Sequence, residues 1–125
     1  MIESTICTLL SKLRSKEITS VALVQAYLDE IEKQKELNAF ITVCTESALK
    51  AAQESDKRYA TGTARRLEGI PLAFKDLYCT NGIRTTAASK ILENFVPFYE
   101  STVTQRLLDE GAICIGKTNM DEFAM

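Results

Sequence analysis

Apolar residues in the first half of the chain recur at helical spacing and predict three helices. The first covers residues 4–15, and its apolar face consists of Ile6, Leu9, Leu10 and Leu13. The second is capped by Thr19 or Ser20, and its buried stripe consists of Val21, Val24, Leu28 and Ile31, widened by Tyr27. The third is capped by Thr45, and its inward positions are Ala48, Leu49 and Ala52.

Short runs rich in β-forming residues predict three strands, at residues 39–44, 70–76 and 112–116. A helix that begins at Thr102, with Gln105 at capping-box spacing, and ends at Gly111 separates the second strand from the third. A strand, a helix and a strand in this order indicate a right-handed crossover. We therefore expect residues 70–76 and 112–116 to run parallel in one sheet, which makes the fold class α/β.

Small and hydroxyl residues over 83–89 predict irregular backbone packed closely against another element, and a short helical turn should follow at 90–95. Near the end of the chain, Asn119 and Glu122 have N-cap and N3 spacing, yet only three residues follow them. Two parallel strands also leave uncovered sheet edges. We therefore expect residues 1–125 to be an incomplete part of a longer domain.

Composition narrows the class of protein. The 125 residues are 46% apolar and 26% charged, which is typical of a globular domain. The net charge of −2 gives no electrostatic field that would hold a polyanion by itself. The chain contains no histidine, so histidine-based triads are excluded within it. Neither a signal peptide nor an apolar run of about 20 residues is present. Together with four scattered cysteines, which predict free thiols, this indicates a cytoplasmic protein.

Lys75 is the candidate for chemistry, because it ends a short apolar run that should draw its side chain inward. Desolvation penalises an ammonium and favours a neutral amine that can act as a base. Along the strand Lys75 shares a side with Ala73, whereas Asp76 should face away. The alternative is a strand-end lysine that extends to solvent, paired with Asp76 or Glu68.

Two other segments are weaker candidates for sites. The sequence Gly116-Lys117-Thr118 resembles the end of a phosphate-binding loop, but the residues before it read as a strand, so we do not expect a nucleotide site. Cys79 follows Lys75 by four residues and could act as a thiolate beside a lysine, although an inert thiol is the simpler interpretation. Neither segment is predicted to be functional.

Two longer segments resemble the amidase-signature enzymes. Residues 67–76, Leu-Glu-Gly-Ile-Pro-Leu-Ala-Phe-Lys-Asp, are similar to the lysine segment of that family. Residues 116–125, Gly-Lys-Thr-Asn-Met-Asp-Glu-Phe-Ala-Met, together with Gly111-Ala112, are similar to its next block. With residues 82–89, the sequence is most similar to the branch of A subunits of the glutamyl-tRNA(Gln) amidotransferases. The resemblance covers essentially the whole chain.

The resemblance implies a fold and a mechanism. The fold is the N-terminal portion of an amidase domain, a mixed sheet flanked by helices, truncated before the Gly/Ser-rich signature. The implied catalytic set is a Ser–cis-Ser–Lys triad that hydrolyses glutamine to ammonia, with Lys75 as its lysine and both serines beyond Met125. Lys75 should then be buried in the complete domain and more exposed in residues 1–125 alone. Thr118 and Asn119 would be supporting or capping groups, and Met125 would approach the substrate entrance.

The resemblance also implies partners. These are the B and C subunits of a heterotrimer, glutamine, and Glu-tRNA(Gln), which is converted to Gln-tRNA(Gln). No cofactor and no metal is expected in this chain, because ATP and Mg belong to the partner subunit. The residues themselves leave two alternatives open. One is a free-standing amidase-signature hydrolase of another amide, and the other is a non-catalytic docking module or gene remnant.

Overall fold

A computed structural model describes all residues, Met1–Met125, and contains four helices and three strands. The helices are α1 (Ile6–Arg14), α2 (Ser20–Lys33), α3 (Thr45–Thr61) and α4 (Thr102–Asp109). The strands are β1 (Phe40–Val43), β2 (Pro71–Lys75) and β3 (Ile113–Thr118). Single 3-10 turns lie at Lys35–Leu37, Lys90–Leu92 and Glu122–Ala124. No helix has the length and apolar character needed to cross a bilayer.

The three strands form one sheet in the order β1-β3-β2. β2 runs parallel to β3, with Lys75 opposite Thr118, whereas β1 runs antiparallel to β3, with Val43 opposite Gly116. The α/β class, the mixed sheet and the parallel pairing predicted from the sequence are therefore confirmed. The third strand begins one residue later than predicted and extends two residues further, to Thr118.

Two apolar clusters fix the helices against this sheet. One joins α2 and α3 to β3, and its members are Val24, Leu28, Ala48, Ala52, Ile113 and Ile115. The other joins α1 and α2 to the start of β2, and its members are Leu9, Leu13, Leu23 and Ile70. The predicted stripe of α2 is thus confirmed at Val24 and Leu28, with Val21, Tyr27 and Ile31 partly buried around it. Burial of these side chains supplies the main driving force for the fold.

The observed helix caps agree only in part with the caps predicted from the sequence. Thr19 caps α2, because its hydroxyl accepts a hydrogen bond from the backbone N–H of Ala22 at 3.1 Å. The prediction for Thr45 was wrong, since α3 begins at that residue and no side chain caps it. The cap of α4 is Ser101 rather than Thr102, because the Ser101 hydroxyl accepts from Thr104 N. Gly111 adopts a left-handed backbone directly after α4, as predicted.

The capping-box spacing of Asn119 and Glu122 is followed only by the turn Glu122–Ala124, and no α-helix forms there. The Asn119 side chain accepts from Met120 N at 2.9 Å and donates to the Asn38 carbonyl at 3.1 Å. Asparagine side chains that bond to nearby backbone compete with helical hydrogen bonding. This local contact explains why the capping-box spacing does not produce a helix.

Candidate active site

Lys75 is the last residue of β2, and its side chain is exposed. The alternation predicted for this strand is confirmed, because Phe74 and Asp76 are buried while Ala73 and Lys75 are exposed. Within residues 1–125 the apolar neighbours of Lys75 therefore do not draw its side chain inward. Its exposure matches the expectation for residues 1–125 alone.

No carboxylate pairs with Lys75. The side chain of Asp76 faces away from Lys75, and the Asp76 carboxylate pairs instead with the ammonium of Lys117. Glu68 is also fully buried, and it pairs with Arg65 at 2.7 Å and accepts from the Ser55 hydroxyl. The pairing of Lys75 with Asp76 or Glu68 is therefore wrong, whereas a strand-end lysine that extends to solvent is what these residues show.

The buried lysine of this protein is Lys117, whose burial was not predicted from the sequence. Its ammonium donates three hydrogen bonds, to the Tyr78 carbonyl at 2.9 Å, the Thr80 hydroxyl at 3.0 Å and the Thr85 hydroxyl at 2.9 Å. These contacts use all three N–H groups of the ammonium. Its side chain has no exposed surface, so the hydrogen bonds replace the water that burial removes.

Asp76 supplies the charge that opposes Lys117. Its Oδ1 lies 3.3 Å from Lys117 Nζ but accepts no hydrogen bond, so this contact is purely electrostatic. The other oxygen, Oδ2, accepts from both the backbone N–H and the hydroxyl of Thr86. The backbone of Asp76 donates to the Thr118 carbonyl and accepts from Ala87 N. Asp76 thereby ties the ends of β2 and β3 to residues 86–87.

Two pairs of residues with strained backbone lie at the same end of the sheet as Lys75 and Asp76. Ala87 and Ala88 have φ values of 49° and 56°, and Phe123 and Ala124 have φ values of 51° and 61°. The left-handed region is unfavourable for residues with a Cβ atom and is often retained where a protein works. Phe123 N donates to the Ala87 carbonyl at 2.9 Å, so the two strained pairs are in contact.

This corner lies beyond the carboxyl ends of two parallel strands, where α/β proteins commonly place their sites. The irregular backbone predicted for 83–89 is confirmed, since these residues contain no helix or strand. The corner brings together the end of β2 with Lys75, the buried Lys117–Asp76 pair and the strained turns. We take it as the candidate active site.

The serines near this corner are already engaged in structural bonds. Ser89 donates to Glu122 at 2.8 Å and accepts from Ile91 N. Ser101 caps α4, and Ser55 lies at the opposite end of β2, where it donates to Glu68. None of them is hydrogen-bonded to Lys75, the candidate base of the predicted triad.

The two weaker candidate segments have ordinary environments. Gly116, Lys117 and Thr118 all lie within β3, so no phosphate-binding loop forms there. The Cys79 thiol donates to the Tyr99 hydroxyl at 3.2 Å and has no lysine partner. A signal for the burial of Lys117 was present, because it follows Ile113 and Ile115 at alternate positions of a strand.

A separate cleft of about 710 Å³ lies between the carboxyl end of α2 and the sheet. It reaches Ala73 on β2 but does not include Lys75, Asp76 or Lys117. The cleft therefore contributes no group that could take part in proton transfer at the candidate site.

The family description "Amidase" matches residues 22–125 of the chain. This protein belongs to the amidase family. The A subunit of the glutamyl-tRNA(Gln) amidotransferase of Rickettsia bellii (strain OSU 85-389) is 56% identical over 116 residues, covering 93% of this chain and 24% of that protein. The protein of the same name from Hyphomonas neptunium is 53% identical over 121 residues, covering 97% of this chain and 25% of that protein.

Solved amidase structures superpose closely on the chain. Native peptide amidase from Stenotrophomonas maltophilia has a TM-score of 0.91 at 34% identity, covering 97% of this chain and 26% of that protein. A second solved chain belongs to a vestigial protein complex that is described as revealing the evolutionary origins of an s-triazine catabolic enzyme. It has a TM-score of 0.91 at 30% identity, covering 96% of this chain and 27% of that one. The chain thus spans about a quarter of the length of the amidases it matches.

Proposed function

We propose that residues 1–125 are the N-terminal part of the glutaminase subunit of a tRNA-dependent amidotransferase, truncated before the Gly/Ser-rich signature. The observation that carries this proposal is the 56% identity to the A subunit of a glutamyl-tRNA(Gln) amidotransferase over 93% of the chain. Identity to a peptide amidase over a similar length is lower, at 34%. The proposed activity is hydrolysis of glutamine to glutamate and ammonia. In the assembled enzyme this ammonia is used, with ATP at the partner subunit, to convert Glu-tRNA(Gln) to Gln-tRNA(Gln).

In the proposed mechanism Lys75 is the terminal base of a Ser–cis-Ser–Lys triad. The nucleophilic serine attacks the amide carbon of glutamine, its proton passes to the bridging serine, and the proton of the bridging serine passes to the Lys75 amine. Return of a proton to the leaving nitrogen releases ammonia and leaves an acyl-enzyme, which water then hydrolyses. Both serines belong to the proposed remainder of the protein.

The surroundings of Lys75 support this role. A lysine that accepts a proton has to be neutral, and an adjacent carboxylate would stabilise its charged form. Asp76 is next to Lys75 in the chain, but its carboxylate is buried beside Lys117. Glu68 is held by Arg65. The Lys75 amine is therefore left without an ion-pair partner.

The remaining parts of the proposal concern the assembled enzyme. Residues 1–125 contain only the lysine of the triad, so they are inactive alone. The proposed partners are B and C subunits, in the cytoplasm. ATP and Mg are used by the partner subunit, and this chain holds no cofactor.

The test uses the protein encoded by the full reading frame. Ammonia release from glutamine is measured with and without B and C subunits, Glu-tRNA(Gln) and ATP. Stimulation by the complete mixture is expected, and Lys75→Met should abolish ammonia release. Hydrolysis that no component stimulates would remove the transamidation hypothesis.

The second candidate is a free-standing hydrolase of another amide, which the TM-score of 0.91 to peptide amidase favours. It predicts amide hydrolysis that is independent of other subunits. Sequencing past codon 125 separates both enzymes from a docking module or gene remnant. An open frame with a Gly/Ser-rich block supports an enzyme, and a natural stop contradicts one.

A further inference from the structure

Lys75 and Asp76 are consecutive residues whose side chains point to opposite sides of β2. One peptide unit joins them, so whatever fixes the backbone of Asp76 also sets the direction in which Lys75 leaves the strand. Asp76 is fixed by its bonds to the Thr118 carbonyl at 3.1 Å, Ala87 N at 2.9 Å and Thr86 N at 3.0 Å. Each of these partners lies on another segment of the candidate site.

The Lys117 ammonium stabilises this backbone conformation of Asp76 from the buried side of the sheet. It opposes the charge of Asp76 at 3.3 Å and bonds to Tyr78, Thr80 and Thr85, which form the segment that follows β2. Both charged side chains have no exposed surface. A buried carboxylate that loses its counter-charge is strongly unfavourable, so the segment would have to move to rehydrate it.

We propose that Lys117 is a positioning residue of the active site, which orients Lys75 through Asp76 and the segment 77–86. Lys117 does not touch the substrate in this arrangement. It keeps the backbone on both sides of Lys75 in one conformation, so that the amine meets the bridging serine. The inference rests on the proposed function, because it concerns the orientation of the proposed base.

The hydroxyl of Thr85 allows a test that separates positioning from packing. Thr85→Val keeps the volume of the side chain and removes the oxygen that accepts from Lys117. Thr85→Ser keeps the oxygen and removes a methyl group. A positioning role requires the oxygen, which also donates to the Ile83 carbonyl at 3.1 Å, whereas a role in packing depends on the volume of this buried side chain.

The experiment measures kcat and KM for glutamine in the full-length protein within its complex, per folded molecule and well below each melting temperature. We expect Thr85→Val to lower kcat about tenfold and Lys117→Met about a hundredfold, with KM within about threefold of the unchanged protein, because small displacements of a reacting group are costly. Thr85→Ser should keep nearly full kcat. Thr61→Val and Lys57→Met, at exposed positions, serve as matched controls.

Two results with the Thr85 variants overturn the inference. A normal kcat in Thr85→Val, or a larger loss in Thr85→Ser than in Thr85→Val, means that Lys117 contributes packing only. If Lys117→Met does not fold, the Thr85 pair decides alone. Lys75→Met is measured beside these variants. An active Lys75→Met protein overturns the proposed function itself, whereas an inactive one with a normal Thr85→Val overturns only the positioning role.

Discussion

Gly111 lies directly against Glu68, so that a Cβ atom on Gly111 would stand 2.7 Å from the Glu68 Cα atom and 2.7 Å from its Oε2. The Gly111 backbone also has a φ of 94°, which side chains with a Cβ atom rarely adopt. This glycine joins α4 to β3 at the point where the chain passes the buried Glu68 carboxylate. Any side chain here would displace the backbone at residue 68.

Gly111→Ala should therefore destabilise the protein by about 3–5 kcal/mol, since backbone strain and overpacking act together. Gly62→Ala is the matched control, because Gly62 has a φ of 72° but nothing within 4 Å of the added atom. Gly62→Ala should lower the free energy of unfolding by about 1 kcal/mol. Urea unfolding of both variants measures the difference, and equal losses would show that the contact with Glu68 is unimportant.

The ion pair of Arg65 and Glu68 should make stability depend on pH at the acid end. Burial acts to raise the pKa of Glu68, but the hydrogen bonds from Arg65 and Ser55 outweigh it and hold the pKa below its usual range. Stability from this group is then fully present above the unfolded pKa of about 4.3 and is lost as the pH falls through the folded value. Glu68→Gln should cost about 1–3 kcal/mol at pH 7. Urea midpoints of the two proteins should converge as the pH falls below about 4.

Removal of the Arg65 side chain should lower the free energy of unfolding more than removal of the charge on Glu68. Arg65→Met leaves a buried carboxylate without its counter-charge, which costs about 3–5 kcal/mol. Arg66→Met, at an exposed neighbouring position, should change stability little. A larger loss in Glu68→Gln than in Arg65→Met would contradict this order.

Asp56 should stabilise the start of α2 from the neighbouring helix α3. Its two carboxylate oxygens accept from Ser20 N at 2.6 Å and Val21 N at 3.1 Å. Asp56→Ala leaves these N–H groups without a partner, at a cost of about 1–3 kcal/mol. Glu54→Ala on the same helix is the control, because Glu54 pairs only with Lys57 at the surface. Hydrogen exchange at the amides of residues 20 and 21 should accelerate in Asp56→Ala only.

The four cysteines should differ in their reaction with iodoacetamide. Cys7 is exposed, whereas Cys44 is buried and Cys114 half-buried. Hydrogen bonding with Cys114 lowers the pKa of the Cys44 thiol, and that contact together with burial raises the pKa of Cys114. Mass spectrometry of the labelled peptides should show Cys7 modified first and Cys114 last. All four should react alike in urea, and rapid labelling of Cys114 in the folded protein would refute this order.

Elements that depend on nearby residues could be predicted from the sequence, and contacts between distant residues could not. The α2 stripe and the β-rich run at 70–76 are local patterns, and they are confirmed. The cap that Asp56 provides to Ser20 joins residues 36 positions apart, and the bond from Lys117 to Thr80 spans 37 positions. No local pattern specifies such partners. For the same reason the burial of Lys117 against Asp76 and Thr85 was not predicted.

β2 has β3 on one side only, so the other edge of Pro71–Lys75 carries backbone groups that no strand satisfies. Such an edge is a template for pairing with another chain, and a charged lysine on it discourages that association. Lys75 therefore protects this edge for as long as nothing covers it. A strand that pairs with this edge would satisfy those backbone groups and would make that protection unnecessary.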